Sequence, residues 1–391
     1  MNINEEALKL HKDNKGKIEV TSKTEIKDMH DLAVVYTPGV AEPCRRIHQD
    51  VSQVYKYTTK GNMVAIVTDG TAVLGLGDIG PEAALPVMEG KAVLFKHFAG
   101  IDAFPICLAT KDPDKIVETV TLIAPTFGGI NLEDISAPRC FEIENRLKKI
   151  LSIPVFHDDQ HGTAVIVLSG LINALKIVGK RIDEIKLVVN GAGAAAIAVS
   201  KFLMSAGVKN TILCDSKGII YKGRKENMNP VKEEMSRVTN REMIKGTLAN
   251  AIVEADVFLG LSVGGVLKPE MVKTMATDPI IFAMANPIPE IMPDEAKKAG
   301  ARIVATGRSD FPNQVNNCLG FPAIFKGALK VRASQINEKM KLAAAYALAS
   351  LIGEEDLKKG IIIPDAFDPR VVEVESEAVA KAAVKSGVAK M

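Results

Sequence analysis

The chain contains no tryptophan, and aromatic residues occupy only 5% of its 391 positions. Platforms on which nucleobases stack are built from aromatic side chains, so the sequence argues against a nucleic-acid partner. Charge of one sign is missing too. The formal net charge of +2 gives no field to draw the protein to nucleic acid or to an anionic membrane. The five cysteines (Cys44, Cys107, Cys140, Cys214 and Cys318) are odd in number and far apart, with no C-x-x-C pair. That argues against a disulfide framework and a cysteine zinc site, and it suits a reducing, cytoplasmic setting. No uninterrupted apolar run reaches the ~18 residues of a membrane span. Residues 1–20 are charged throughout and lack the apolar core of a secretory signal.

What remains is an ordinary globular composition, 47% hydrophobic and 25% charged, long enough for two or three domains. The chain is organised around residues 153–164. An apolar run, Ile153 to Phe156, leads into Asp158 and Asp159; Gly162 is expected to free the backbone, and a helix is expected from Thr163. Adjacent carboxylates repel and are costly to desolvate. They are either a solvated turn capping the helix or ligands of a hard divalent cation. His157 and His161 have the spacing of the zinc-protease helix motif, but an Asp stands where that motif needs Glu, and a strand leads in. A second acidic pair, Glu133 and Asp134, ends the apolar segment 127–132, with a helix over 140–150 between the two pairs. A strand-helix-strand unit brings both strand ends to one sheet edge. Four carboxylates there favour Mg²⁺ or Mn²⁺, three of them completing an octahedron with substrate and water oxygens.

Upstream, residues 31–36 read as an extended segment closed by the Pro38-Gly39 turn, with Tyr36 either a half-buried aromatic or a general acid. Gly75, Gly77 and Gly80 match G-x-G-x-x-G, but Pro81 follows and no acid-ended strand comes after. This reads as a glycine-rich loop. Residues 82–98 read as a helix broken near Pro86 and Gly90. Lys91 lies there among Val87, Met88, Val93 and Leu94. The residues alone favour a snorkelling lysine over a buried base.

The second half opens on a strand, Lys186 to Asn190, running into Gly191-Ala192-Gly193-Ala194-Ala195-Ala196 and a helix. This is G-x-G-x-x-A in the setting a dinucleotide requires: a tight turn at Gly191, close backbone approach at Gly193, and helix-strand packing at Ala196. Asp215 ends the next strand, 24 residues after Gly191, where an acid binds the adenine ribose. That favours NAD, although Ser216 and Lys217 beside it can accept the extra phosphate of NADP. Further strands at 257–260, 280–284 and 303–306 end in polar loops carrying Asn286, then Asn313, Asn316 and Asn317. Alanine-rich helices over 323–351 and 371–388 are expected to pack back across both domains or a subunit contact. The expected fold is α/β: an N-terminal α/β substrate and metal domain (1–160), then a doubly wound Rossmann-type dinucleotide domain (161–391).

With these residues in view, the chain resembles the malic enzymes in their short prokaryotic form. The matches run in order: residues 36–41, 67–70, 75–80, 89–91, 131–134, 156–164, the loop at Gly191, 285–287 and 313–317. The resemblance implies oxidative decarboxylation of (S)-malate to pyruvate and CO₂. By motif it places Mg²⁺ or Mn²⁺ on Glu133, Asp134 and Asp159, Lys91 as base with Asp158 assisting, and Tyr36 as the acid. Asn286 and Asn317 would face malate or the nicotinamide. A homodimer is also implied. One departure stands out. Longer relatives carry an arginine for a malate carboxylate two residues after the Thr-Asp-Gly turn, where this chain has Ala72. Two other readings keep the cofactor fold: a metal-free 2-hydroxy acid dehydrogenase, and a regulatory protein that binds NAD(P) without turnover.

Overall fold

A computed structural model describes residues 2–73 and 75–391. The chain begins with four helices: α1 (Ile3–Asn14), α2 (Met29–Val35), α3 (Ala41–Gln49) and α4 (Val54–Tyr57). Asn2 and Glu5 form a capping box on α1. Residues 31–36 are therefore not extended as their sequence suggested. Asp28 caps α2 by accepting from the Asp31 N–H, and Tyr36 ends the helix. No residue from 2 to 59 is buried.

The first sheet follows in regular alternation: β1 (Met63–Thr68), α5 (Pro81–Leu94), β2 (Asp102–Cys107), α6 (Pro113–Ile123), β3 (Gly129–Leu132), α7 (Arg139–Ile150) and β4 (Val155–His157). The order is β2-β1-β3-β4, all parallel. Helices cover both faces, which is why β1 reads as a near-continuous apolar run. α5 runs unbroken through Pro86 and Gly90 and then widens into a π-turn at Phe95–Ala99. Tertiary packing overrides the two breakers. Ala84, Met88, Lys91 and Ala92 form one buried face at helical spacing. The missing side chain of Gly90 leaves room for Lys17, whose Nζ donates to the Pro86 carbonyl at 2.7 Å.

Helix α8 (Asp158–Val178) starts five residues earlier than its pattern suggested. Asp158 and Asp159 occupy its first turn, where the helix dipole favours negative charge. Gly162 thus lies inside the helix, and a Cβ there would overlap the Asp158 carboxylate. By length and composition alone α8 can cross a membrane, but in this fold it is a mostly buried core helix.

The second sheet comprises β5 (Lys186–Asn190), β6 (Asn210–Asp215), β7 (Gly218–Ile219), β8 (Val257–Gly260), β9 (Ile280–Ala283) and β10 (Ile303–Thr306), in the order β10-β9-β8-β5-β6-β7. Only β7 is antiparallel. The chain enters at β5, winds to β6, then returns to β8, so the switch point lies between β5 and β8. Helices α9 (Ala194–Ser205), α10 (Pro230–Val238), α11 (Leu248–Ala251), α12 (Pro269–Val272) and α13 (Pro293–Lys298) connect the strands. The chain ends in α14 (Phe321–Lys330), α15 (Glu338–Ser350), α16 (Glu354–Lys358) and α17 (Arg370–Lys385). α14 packs back on the first half. Phe321 and Phe325 meet Phe95 edge-on at centroid distances of 4.7 and 5.4 Å, and Phe325 meets Phe156 at 5.8 Å.

Glu375 on α17 is fully buried, and neither carboxylate oxygen has a partner among the described residues. Burial raises its pKa well above the ordinary carboxyl value. A raised folded pKa adds stability in acid that is lost as pH rises through it. Glu375→Gln is therefore expected to melt with the wild type at about pH 5 and above it at about pH 9. Thermal denaturation at the two pH values checks this.

Candidate functional site

The acidic ends of the first sheet converge. Glu133 and Asp134 follow β3, and Asp159 stands in the first turn of α8. One oxygen from each lies within 4.8 Å of the others. Asp134 has φ 53°, a left-handed conformation costing about 1–3 kcal/mol in a non-glycine residue. Its backbone is held from two sides: its N–H donates to Asp159 Oδ2 at 2.9 Å, and its carbonyl accepts from Thr71 and Ala72. Asp134 Oδ2 is buried with no partner among the described residues. Burial first, then the charges of Asp159 and Glu133, push the Asp134 carboxyl up to about 9. An all-oxygen trio, two of it buried and Asp159 half-buried, with an orphaned acceptor fits a hard divalent cation.

Lys91 reaches this cluster from α5 and does not snorkel. Its side chain is 7% exposed, with Nζ 2.7 Å from Glu133 Oε1 and in contact with Asp158 Oδ2. The Phe321 ring lies 4.2 Å from the same nitrogen, closing the remaining side. The lysine points inward because it shares the buried face of α5 with Ala84, Met88 and Ala92. Burial alone would lower its pKa, but Asp158 and Glu133 outweigh burial and hold it above the ordinary lysine value. Asp158 also accepts from Asn317 Nδ2, so the segment after β10 touches the carboxylate that partners Lys91.

The other expected site residues divide. Asn286 lies where the two halves meet, its carbonyl 3.2 Å from where a Cβ on Gly75 would stand. Asn313 and Asn316 are loop caps: Asn313 bonds Gly360 and the Ile362 N–H, and Asn316 accepts from Cys318. Of the amide cluster, only Asn317 joins the site. Tyr36 is 67% exposed and has no hydrogen bond to the Lys91 cluster.

At the cofactor crevice, Gly191 (φ 138°) lies against the Leu261 carbonyl, so closely that any Cβ would collide. Gly193 faces open space, and α9 starts at Ala194, directing its unpaired N–H groups there. Ala192, Ala195 and Ala196 complete the turn, with Ala196 buried. Asp215 does end β6, but its carboxylate is engaged. Arg224 grips both oxygens, and Lys232, Asn227 and the Lys217 N–H also donate to it. Burial would raise its pKa; Arg224 and Lys232 outweigh that and pull it down to about 2.

Several supporting residues received no site role from the sequence. Arg139 pairs with Asp69 at 2.8 Å and donates to Thr71, fastening the Thr-Asp-Gly turn to the acidic loop. Asn131 donates to Glu133 Oε2. Glu290 accepts from the Ser262 and Ala285 N–H groups and joins the loops after β8 and β9. His161 contacts Glu144 and Lys341, tying α8 to α7 and α15. Each is a polar residue to which only the fold gives a partner.

Comparison with known proteins agrees with this arrangement. Residues 15–148 match the family model of the malic enzyme N-terminal domain, and residues 160–387 that of the malic enzyme NAD-binding domain. The bifunctional malic/malolactic enzyme of Bacillus subtilis is 63% identical over 391 residues, covering all of this chain and 95% of that one. The NAD-dependent malic enzyme of Geobacillus stearothermophilus is 59% identical over 96% of this chain and 78% of its own length. The crystal structure of malic enzyme from Pyrococcus horikoshii superposes with a TM-score of 0.95 at 51% identity, covering 100% of this chain and 92% of that one.

Proposed function

The chain belongs to the malic enzyme family, and we propose that it oxidises (S)-malate with NAD or NADP and decarboxylates the product to pyruvate, dependent on a divalent cation. The observation that carries this reading is Lys91, buried between Glu133 and Asp158 beside a carboxylate trio with an orphaned oxygen. Glu133, Asp134 and Asp159 would hold Mg²⁺ or Mn²⁺. When bound, that ion supplies a Lewis acid for the substrate's C2 oxygen. The Gly191–Ala196 turn would hold the pyrophosphate of NAD or NADP, which when bound would supply the hydride acceptor for C2. A cation on the carboxylate trio would offset the negative charge that keeps Lys91 protonated, so that its neutral amine could accept the C2 hydroxyl proton, and Asp158 holds the resulting ammonium. Asn317 orients Asp158, and Asn286 lines the nicotinamide side. Tyr36 returns a proton to C3 after CO₂ leaves. Ala72 supplies no cation for the distal carboxylate, and Arg139 at that turn is engaged by Asp69 and Thr71, so backbone N–H groups of the 75–80 loop or a partner subunit are assigned to it.

The direct test follows reduced nicotinamide by absorbance with malate and Mn²⁺, with and without chelator, while pyruvate is assayed. Pyruvate formed one-for-one with reduced cofactor, and abolished by chelator, is expected. Chelator-insensitive reduction that yields oxaloacetate would move the protein to the metal-free dehydrogenases.

The side chains around Asp215 support a pocket that admits the 2′-phosphate of NADP as well as NAD. Arg224 and Lys232 neutralise the carboxylate that would repel it, and Lys217 is half exposed beside them. A hydrogen bond to a charged group is worth about 1.5–3 kcal/mol. Lys217→Ala is thus expected to lower kcat/KM for NADP by about 10-fold or more and to leave NAD unaffected. An equal loss with both cofactors would remove Lys217 from phosphate recognition. All five cysteines are free, which supports the cytoplasmic setting. The division of labour at residue 160 and the homodimer belong to this same reading.

A further inference from the structure

We propose that Glu144 is a positioning residue for the reaction: through a relay that runs from Lys341 to His161 to Glu144, the first turn of α8 is fixed, and with it the aim of Asp158 and Asp159. This rests on the reading of Glu133, Asp134 and Asp159 as cation ligands.

The side chain of Asp159 does not anchor itself to the body of the fold. Among the described residues, the hydrogen bond it accepts comes from the Asp134 N–H at 2.9 Å, inside the trio. Asp158 likewise touches Lys91 and Asn317, both of them site residues. The placement of the two carboxylates therefore depends on the backbone that carries them. That backbone enters α8 without a capping side chain: His157 stands at the cap, and its ring accepts nothing from the first turn. A ligating group has to be held within about 0.5 Å of its productive place, so this turn needs support from elsewhere.

Glu144 supplies it. The residue lies on α7 and is buried. Its Oε1 accepts from the His157 N–H at 3.2 Å and lies 2.8 Å from His161 Nε2, and its Oε2 lies 3.1 Å from the same nitrogen. His157 and His161 flank Asp158 and Asp159 in the chain, so one carboxylate grips α8 on both sides of them. Lys148, one turn further along α7, pairs with Oε1 at 2.7 Å. A carboxylate meets these three donors at once because it has about four lone-pair sites and no proton. An amide in its place would turn a donor toward one of them.

The ring of His157 makes the placement exacting. It is fully buried, and neither nitrogen has a partner among the described residues. Nδ1 stands 3.7 Å from Asp159 Oδ2, just beyond hydrogen-bond reach. A small rotation of this turn brings the imidazole onto the Asp159 carboxylate or takes it away. Glu144 holds residue 157 by its N–H and so sets that distance.

The far end of the relay comes from the second half of the chain. Lys341 on α15 is buried, and its Nζ lies 3.1 Å from His161 Nδ1. An ammonium only donates, so Nδ1 is the acceptor and the ring proton sits on Nε2, which gives it to Glu144. Glu338, in contact with the same ammonium, balances its charge. α15 thus selects the tautomer of His161 that Glu144 requires.

Mn²⁺ binding to the full chain without substrate tests this. The free-ion signal in electron paramagnetic resonance gives the Mn²⁺ dissociation constant of wild type, Glu144→Gln, Lys341→Met and the double variant, and the fluorescence of bound reduced nicotinamide cofactor gives its affinity in the same samples. Losing a group that orients a metal ligand costs about 10–100-fold in metal affinity. Glu144→Gln is expected to weaken Mn²⁺ by that factor and to leave cofactor affinity unchanged. Lys341→Met, which touches neither Asp158 nor Asp159, is expected to weaken Mn²⁺ about fivefold, and the double variant no more than Glu144→Gln alone, because the lysine acts through the carboxylate. A lowered melting temperature with unchanged Mn²⁺ affinity in Glu144→Gln would make Glu144 a structural strut and overturn the proposal alone. Equal losses for Mn²⁺ and cofactor, or additive losses in the double variant, would overturn it as well. A wild type that binds no Mn²⁺ would overturn the cation reading itself, and this proposal with it. If Glu144→Gln does not fold, Lys341→Met decides, and unchanged Mn²⁺ affinity there counts against the relay.

Discussion

Lys91→Met is expected to lose activity and stability together, while Lys91→Arg loses only activity. A positioned acid-base group contributes about 10²–10⁴-fold to rate, so both variants should fall by that order in kcat. Arginine stays protonated and cannot accept the C2 proton. The stability effects separate them. Lys91 is the cation that faces Glu133 and Asp158 inside the fold. Removing one partner of a buried pair costs about 3–5 kcal/mol, because a charge is left buried without compensation. That loss should appear in urea denaturation of Lys91→Met treated with chelator and should shrink when Mn²⁺ is added. Equal stability of the two variants would mean that the ammonium does not neutralise the cluster.

The second large effect concerns the carboxylate trio. A ligand at 100 times its dissociation constant stabilises the folded state by about 2.7 kcal/mol. Wild-type protein should gain this with Mn²⁺, and Asp134→Asn should not. In chelator the order reverses. The Asp134 carboxyl is pushed up to about 9 by burial and by Asp159 and Glu133. A raised folded pKa means stability held in acid and lost as pH rises from the unfolded value through about 9. At about pH 8 the metal-free wild type therefore bears most of that penalty, and Asp134→Asn should be the more stable protein by about 1 kcal/mol or more. Melting curves with chelator and with Mn²⁺ check both signs. A variant that is weaker under both conditions would show that Asp134 is a structural group.

The parallel strands were legible because each is a short, nearly pure apolar run, which helices on both faces of the sheet require. The two acidic pairs were legible because charge at a strand end has few structural uses. What failed did so for definite reasons. Asp158 and Asp159 look like a turn, yet they begin α8, because the helix dipole makes a first turn a good place for carboxylates. Pro86 and Gly90 look like breaks in α5, yet a buried face carries the helix through both. Lys91 sits among apolar neighbours in either of its two readings, and the buried face of α5, the carboxylates of Glu133 and Asp158 and the packing of Phe321 decide. Asp215 has the right place for a ribose ligand, but Arg224 and Lys232, which occupy it, come from the loop and helix that follow. Local pattern reports the face a residue shows; partners far away in sequence are set by topology.

The packing of Phe321 and Phe325 on Phe95 and Phe156 also bears on the order in which the chain is made. Synthesis delivers the catalytic lysine and all four carboxylates early, while the aromatic wall behind them emerges near the end. Until then, the first half of the chain lacks the cover for Phe95 and Phe156, and the narrow place at Gly129 that receives Phe325 stands empty. The half of the protein that holds the chemistry is thus the first to be born and the last to close. During that interval its open face is a binding surface for chaperones, and for other nascent chains of its own kind.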